Sequence, residues 1–130
     1  MLAAYRSVAT QGGVDAADPH RLIVMLIDGA LERIAQARGC AQRNEKADKS
    51  AHVQRALAII GELRASLDLS RGEIAANLDA LYDYMARQLL RAHVEEGSEC
   101  LDRVAGLLHE IRSAWIALPA EARSARRETR

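Results

Sequence analysis

The sequence has few prolines, which break helices, and few aromatic residues, which stack on nucleic-acid bases. Its two prolines, Pro19 and Pro119, lie near the ends and leave about a hundred residues between them without a hard helix breaker. One tryptophan, three tyrosines and no phenylalanine are too few for a platform that stacks single-stranded nucleic acid. The two cysteines, Cys40 and Cys100, are far apart and in no metal-type spacing, which predicts reduced thiols.

The chain also lacks an excess of either charge and a long apolar run. Eighteen basic and eighteen acidic residues cancel, which argues against a nucleic-acid or anionic-membrane partner. The run Leu22–Ile27 is far shorter than the roughly 20 apolar residues of a membrane span, so we expect no membrane insertion. The N-terminus shows no positive start followed by an apolar core, so we expect a cytoplasmic protein without a signal peptide.

Apolar residues recur at steps of three and four in four segments, and no window alternates as a strand does. The first segment begins at Asp18-Pro19, a capping residue followed by a residue suited to the first helical position, and should stop at Gly39. The second is expected over 50–68. The third should open with a capping box between Ser70 and Glu73. The fourth is expected over 98–117, before Pro119.

These segments predict an all-α fold, an antiparallel up-down four-helix bundle, because polar connections between helices are short. The bundle would span 18–118. Residues 1–17 are interpreted as a flexible N-terminal arm, in which Leu2, Tyr5 and Val8 are spaced to form one docking turn. The Arg-rich stretch 119–130 has almost no large apolar residue and is predicted to be a disordered tail.

The third segment carries two rows of residues along one side. The main row, expected in the core, is Ile74, Leu78, Leu81, Tyr82, Met85, Leu89 and Ala92. The second row, at steps of four, three and four, is Asn77, Leu81, Tyr84 and Gln88. Two such rows side by side are typical of a helix that packs inward and offers a groove outward.

No constellation in the sequence supports catalysis, a metal or a cofactor. No Asp or Glu precedes a histidine by three residues, as di-iron bundles require, and phosphate-binding glycine loops are absent. The four histidines are scattered, one near each helix. We therefore predict that the protein is not an enzyme. A histidine phosphotransfer bundle stays an alternative, which a single exposed, reactive histidine would support.

Several apolar residues fall outside the main rows of their helices. They are Val24, Met25, Ile59, Tyr84, Leu90, Val94 and Leu107. Grouped on a surface, such residues usually mark a partner site, and fully burying each is worth roughly 1.5–3 kcal/mol. A second alternative is a structural bundle that covers them by self-association as a homodimer.

The order of motifs closely resembles the flagellin export chaperones, the FliS family, over about residues 4–116. The matching stretches are Ala4-Tyr5, Asp18-Pro19, Met25–Ala30, Ile60–Leu63, Gly72–Leu78, Leu81–Met85 and Glu110–Trp115. The third-segment motif, Gly-Glu-Ile-Ala-Ala-Asn-Leu before Leu-Tyr-Asp-Tyr-Met, is distinctive for the family. The sequence departs from the family pattern at Ile27, Arg71 and His93.

The resemblance implies a cytosolic chaperone that binds the disordered C-terminal segment of flagellin, prevents premature polymerisation and presents flagellin to the flagellar export apparatus. It also implies that the N-terminal arm occupies or gates the site when no flagellin is bound. We predict the following contacts with the flagellin segment: Tyr5, Met25, Asn77, Leu78, Leu81, Tyr82, Tyr84, Met85 and Gln88.

Overall fold

The computed structural model describes residues 2–5 and 18–118, and within them the fold is four helices and two short 3-10 turns. The helices are α1 (Pro19–Gln42), α2 (Lys46–Ala65), α3 (Glu73–Ala92) and α4 (Glu99–Ile116). The turns cover Leu2–Tyr5 and Leu69–Arg71. The four-helix bundle is confirmed, and no strand occurs in the described ranges. Most of the predicted arm, and the predicted tail, lie outside the described residues.

The four helices form a ring in which each packs on its neighbours in the chain and α4 closes back onto α1. Short connections make neighbouring helices antiparallel. One end of the bundle therefore gathers the start of α1, the end of α2, the start of α3 and the end of α4. The opposite end gathers the end of α1, the start of α2, the end of α3 and the start of α4.

Helix α1 starts as predicted but ends later. The Asp18 carboxylate accepts the N–H of Arg21 at 3.4 Å, and Pro19 occupies the first helical position. The predicted stop at Gly39 is wrong, because the buried face continues to Cys40 and the helix runs on to Gln42. Asn44, at φ 57°, supplies the left-handed residue that Gly39 was expected to provide.

The starts of α2 and α3 also differ from expectation. Helix α2 begins at Lys46, before the predicted 50, and ends at Ala65. The predicted capping box of Ser70 with Glu73 is wrong: the Asp68 carboxylate accepts the Ser70 N–H and hydroxyl at 3.1 and 2.6 Å. These two bonds hold Ser70 in the 3-10 turn. Helix α3 starts directly after Gly72, whose φ of 92° suits glycine.

The core lies along the inner faces of all four helices. Its largest fully buried side chains on α1 and α2 are Ile23, Ile27, Ile34, Ile60 and Leu63. Ile74, which the periodicity assigns to the core, is 52% exposed, and Ala75 is buried in its place. At 100° per residue, Ile74 lies at the border of the inner face and in the first turn, where no neighbour covers it. None of the described helices is long and apolar enough to cross a membrane.

Glu95, in the connection before α4, caps that helix in place of Ser98. Its carboxylate accepts the backbone N–H of Cys100 at 2.9 Å and the Cys100 thiol at 3.1 Å. The two bonds hold the pKa of the Glu95 carboxyl below its usual range, and burial raises the pKa of the Cys100 thiol.

The Glu95 cap predicts a loss of stability in acid. A lowered folded-state pKa means that the unfolded chain takes up the proton first, so the contribution is present above the ordinary Glu pKa of about 4.3 and is lost as pH falls through the lower folded value. Urea denaturation of the wild type and Glu95→Gln between pH 7 and 3 measures this. We expect the gap between the two proteins to narrow below about pH 4. A gap that stays constant over that range contradicts the assigned cap.

Candidate functional site

The Leu2–Tyr5 turn buries the Tyr5 side chain at the end of the bundle where α3 begins and α4 ends. Tyr5 is 1% exposed, its hydroxyl hydrogen-bonds the hydroxyl of Tyr82, and its ring meets Trp115 edge-on with centroids 5.4 Å apart. The backbone N–H of Asp68 donates to the Ala4 carbonyl at 2.7 Å. The turn is thus held by packing and by hydrogen bonds to residues far along the chain. We call Tyr5, Tyr82 and Trp115 the tyrosine socket.

Trp115 is fixed from its other side by His20. The Trp115 indole N–H donates to the His20 carbonyl at 2.8 Å, and the His20 Nε2 bonds the Trp115 carbonyl at 2.7 Å. The two rings stack at an interplanar angle of 13°. These reciprocal bonds join the start of α1 to the end of α4, and they make His20 a packed residue and not an exposed phosphotransfer histidine.

Burial sets the protonation of the two tyrosines in the socket. It raises the pKa of Tyr82 to about 12, and it raises the pKa of Tyr5, which the nearby Tyr82 raises further. Both hydroxyls are therefore protonated at neutral pH, so the pair holds together by one neutral hydrogen bond and by packing. The socket has the chemistry of a binding surface for apolar and aromatic groups.

A shallow groove of about 330 Å³ runs between α3 and α4 on the outside of the bundle. We call it the α3–α4 groove, and its lining residues are Tyr84, Asp102, Arg103, Gly106, Leu107 and Glu110. Gly106 has nothing within 4 Å of where a Cβ would stand, so the floor of the groove is open there. The groove offers apolar surface with charged side chains at its rim.

Gln88 on α3 does not line this groove but hydrogen-bonds Arg103, which does. Its side chain is buried, with the residue 7% exposed, and its Oε1 accepts a hydrogen bond from Arg103 at 3.1 Å. The bond from Arg103 fixes the orientation of the Gln88 side-chain amide. An oriented amide beside an apolar groove is suited to the backbone of an extended peptide.

The structure divides the predicted contact residues into two layers of α3. Leu78, Tyr82 and Met85 lie in the core, at 5%, 0% and 0% exposure. Asn77 and Tyr84 are exposed, and Leu81 is half-buried. Tyr84 lines the α3–α4 groove, whereas Met25, 57% exposed, lies on α1, which is diagonal to α3 across the ring. The predicted set therefore does not form one continuous patch, and its role stays a prediction.

Sequence reasoning missed the α4 side of the groove. Arg103, Gly106 and Glu110 were not among the predicted contacts, and Leu107 was noted only as an apolar residue outside the main row. Gly106 beside Leu107 on the outer face of an amphipathic helix was the available signal, because glycine there lowers helix propensity and leaves a gap. Among the described residues, no group of three or more His, Cys, Asp or Glu could hold a metal ion.

Comparison with known proteins gives matches over nearly the whole chain. A family model described as flagellar protein FliS matches residues 1–122. The chain is 45% identical over 112 residues to the flagellar secretion chaperone FliSB of Pseudomonas aeruginosa, covering 85% of this chain and 89% of that protein. It is 39% identical over 121 residues to the flagellar secretion chaperone FliS of Salmonella typhimurium, covering 92% and 90%. The Vibrio cholerae protein of that name is 38% identical over 121 residues, covering 92% and 89%.

Proposed function

Because the chain belongs to the FliS family of flagellar secretion chaperones, we propose that it binds the disordered C-terminal segment of flagellin in the cytoplasm. By holding that segment it keeps flagellin from polymerising early and delivers it to the flagellar export apparatus. The family consists of chaperones and not of enzymes, so the residues that matter are those that contact a protein partner.

The observation that carries this proposal is the α3–α4 groove beside the exposed row of α3. A disordered partner loses conformational entropy when it binds, so it needs a long apolar track. An amphipathic helix formed by the partner would place its anchors, spaced by three and four residues, along such a groove. Tyr84 and Leu107 supply the apolar wall, and Leu81 lies half-buried on the same row of α3 as Tyr84.

Polar groups along the groove would set the register of the bound segment. The Gln88 amide is held by Arg103, and Asn77 is exposed one turn before Leu81 on the same row. Side-chain amides both donate and accept, so they can bond a peptide backbone of any sequence. Asp102 and Glu110 at the rim favour basic groups on the segment, while Arg103 favours acidic ones.

The tyrosine socket extends the site when the Leu2–Tyr5 turn moves away. Tyr82 is fully buried, and Leu78 and Met85 are core residues of the same helix. We propose that an anchor of the flagellin segment replaces the Tyr5 ring against Tyr82 and Trp115, so that the N-terminal turn and the partner compete. Tyr5, predicted from the sequence as a contact with the segment, is then its competitor. Met25, on α1, serves as a separate contact for a segment that wraps around the bundle.

Replacing Tyr84 with aspartate tests the groove. Tyr84 is 37% exposed, so the change removes apolar surface and adds a charge while leaving the core intact. Losing one such anchor should weaken binding of a C-terminal flagellin peptide by roughly tenfold or more, measured by isothermal titration calorimetry, with normal far-UV circular dichroism.

Leu90→Asp is the matched control for Tyr84→Asp. Leu90 is 56% exposed on the same helix but does not line the groove. We expect the Leu90 variant to bind the peptide as the wild type does. Equal weakening in both variants, or none in Tyr84→Asp, would remove the groove from the proposal.

A further inference from the structure

The Tyr82 hydroxyl is the polar group that the tyrosine socket offers to the side chain of Tyr5. Tyr82 is fully buried, and among the residues that the structure describes its hydroxyl is hydrogen-bonded only to the hydroxyl of Tyr5. Trp115 contributes its ring alone, because its indole N–H donates to the His20 carbonyl at 2.8 Å. The socket therefore combines an apolar wall with one hydroxyl that needs a partner.

That hydroxyl loses its partner when the Tyr5 ring leaves the socket. Burial raises the pKa of Tyr82 to about 12, so at neutral pH its hydroxyl is protonated and can both donate and accept. A buried hydroxyl without a partner costs free energy, whereas one that exchanges partners keeps its bond. A side chain that fills the socket with carbon alone should therefore bind less tightly than one that ends in a hydroxyl.

The backbone of the N-terminal turn makes a second bond, which does not depend on side chains. The N–H of Asp68 donates to the carbonyl of Ala4, the residue directly before Tyr5, at 2.7 Å. Every residue of a peptide carries a carbonyl, so a segment of any sequence can supply this bond. The Tyr82 hydroxyl is thus the feature of the socket that distinguishes one segment from another.

The apolar wall of the socket favours an aromatic ring. The Tyr5 ring meets Trp115 at an interplanar angle of 90°, an edge-on arrangement that stabilises aromatic pairs beyond the area they bury. A serine carries its hydroxyl too close to its own backbone to fill this space and also reach Tyr82. A phenylalanine supplies the ring without the hydroxyl. Of the common side chains, tyrosine meets both requirements.

We propose that the tyrosine socket selects a tyrosine of the bound segment, whose ring replaces that of Tyr5 and whose hydroxyl bonds that of Tyr82. This inference rests on the proposed displacement of the Leu2–Tyr5 turn by the flagellin segment, and it names the side chain that displaces it. The N-terminal turn then carries the same chemistry as its competitor. It keeps the Tyr82 hydroxyl bonded until a segment with a tyrosine takes its place.

Two synthetic peptides test the selectivity of the socket without flagellin. One carries residues 1–7 of this chain, and the other carries the same residues with phenylalanine in place of Tyr5. Each is titrated into the full-length Tyr5→Ala protein, whose socket lacks the tyrosine ring. Trp115 is the single tryptophan, so its indole N–H signal in ¹H–¹⁵N NMR spectra reports binding up to millimolar peptide.

We expect the tyrosine peptide to bind the Tyr5→Ala protein about fivefold or more tightly than the phenylalanine peptide, because only the first bonds the Tyr82 hydroxyl. In the Tyr5→Ala/Tyr82→Phe protein the two peptides should bind alike. If Tyr5→Ala does not fold, Tyr5→Phe keeps a ring in the socket and should show the same preference. Equal affinities of the two peptides, or no shift with either, would overturn the proposal.

The flagellin segment is tested separately in the same proteins. Its affinity for Tyr5→Ala should exceed its affinity for Tyr5→Ala/Tyr82→Phe by about fivefold or more. Equal affinities would show that flagellin does not use the Tyr82 hydroxyl, against the proposal. A preference for the tyrosine peptide without any binding of flagellin would support the selectivity of the socket and contradict the proposed function, so the two failures are distinguishable.

Discussion

Replacing Trp115 with alanine is expected to lower the free energy of unfolding by about 3–5 kcal/mol. Trp115 is fully buried, meets Tyr5 edge-on and stacks on His20. The change leaves a cavity where three elements meet, and it leaves the His20 carbonyl without its 2.8 Å donor. Typical domains are stable by only about 5–15 kcal/mol, so the variant would be close to unfolding.

Urea denaturation followed by circular dichroism measures this loss, and the neighbouring Ile116→Ala is its control. Ile116 is 47% exposed on the last turn of the same helix, so its truncation should change stability by only about 0.5 kcal/mol. Similar midpoints for Trp115→Ala and Ile116→Ala would show that the indole does not join α1 to α4 as described.

Replacing Tyr5 with alanine should have opposite effects on folding and on binding. The ring is 1% exposed, so its loss should cost roughly 1.5–3 kcal/mol of stability from the transfer of apolar surface alone. If the flagellin segment must displace the Tyr5 ring from Tyr82 and Trp115 in order to bind, binding to the Tyr5→Ala protein no longer requires that step. Its affinity for the segment should then rise by roughly tenfold or more.

Tyr5→Phe separates the ring from the hydroxyl. It keeps the edge-on contact with Trp115 and removes only the bond to Tyr82, so we expect a smaller loss of stability and a smaller gain in affinity. Titration calorimetry of both variants with the same flagellin peptide provides the comparison. A Tyr5→Ala protein that is less stable but binds no more tightly would make Tyr5 a purely structural residue.

Much of the fold follows from periodicity, and the departures have local causes. The steps of three and four residues give four helices and the correct order, because apolar faces must meet in a core. Helix ends are less well determined: burial of Cys40 carries α1 past Gly39, and Asp68 captures Ser70 before it can cap α3. In each case the sequence allows two local arrangements, and the rest of the structure decides between them. Helix α1 could end at Gly39 or at Gln42, and Ser70 could bond with Asp68 or with Glu73.

The candidate site is harder to predict because its parts come from different helices. The row with Tyr84 and Gln88 can be found in the sequence of α3, but the pairing of Gln88 with Arg103 depends on the register of α4 against α3. The contact of Tyr5 with Tyr82 joins residues 77 apart in the chain. The periodicity of α3 places Tyr82 and Met85 in the core, as the structure does, but no local pattern predicts the contact of Tyr82 with Tyr5.

Co-expression of the tagged chain with flagellin, with and without the flagellin C-terminal segment, tests the central claim most directly. Size-exclusion chromatography of the captured material measures how much flagellin remains bound and in what ratio. The proposed function predicts a one-to-one complex with full-length flagellin and no complex with the truncated form. Equal capture of both forms would contradict recognition of the C-terminal segment, and capture of neither would contradict flagellin binding itself.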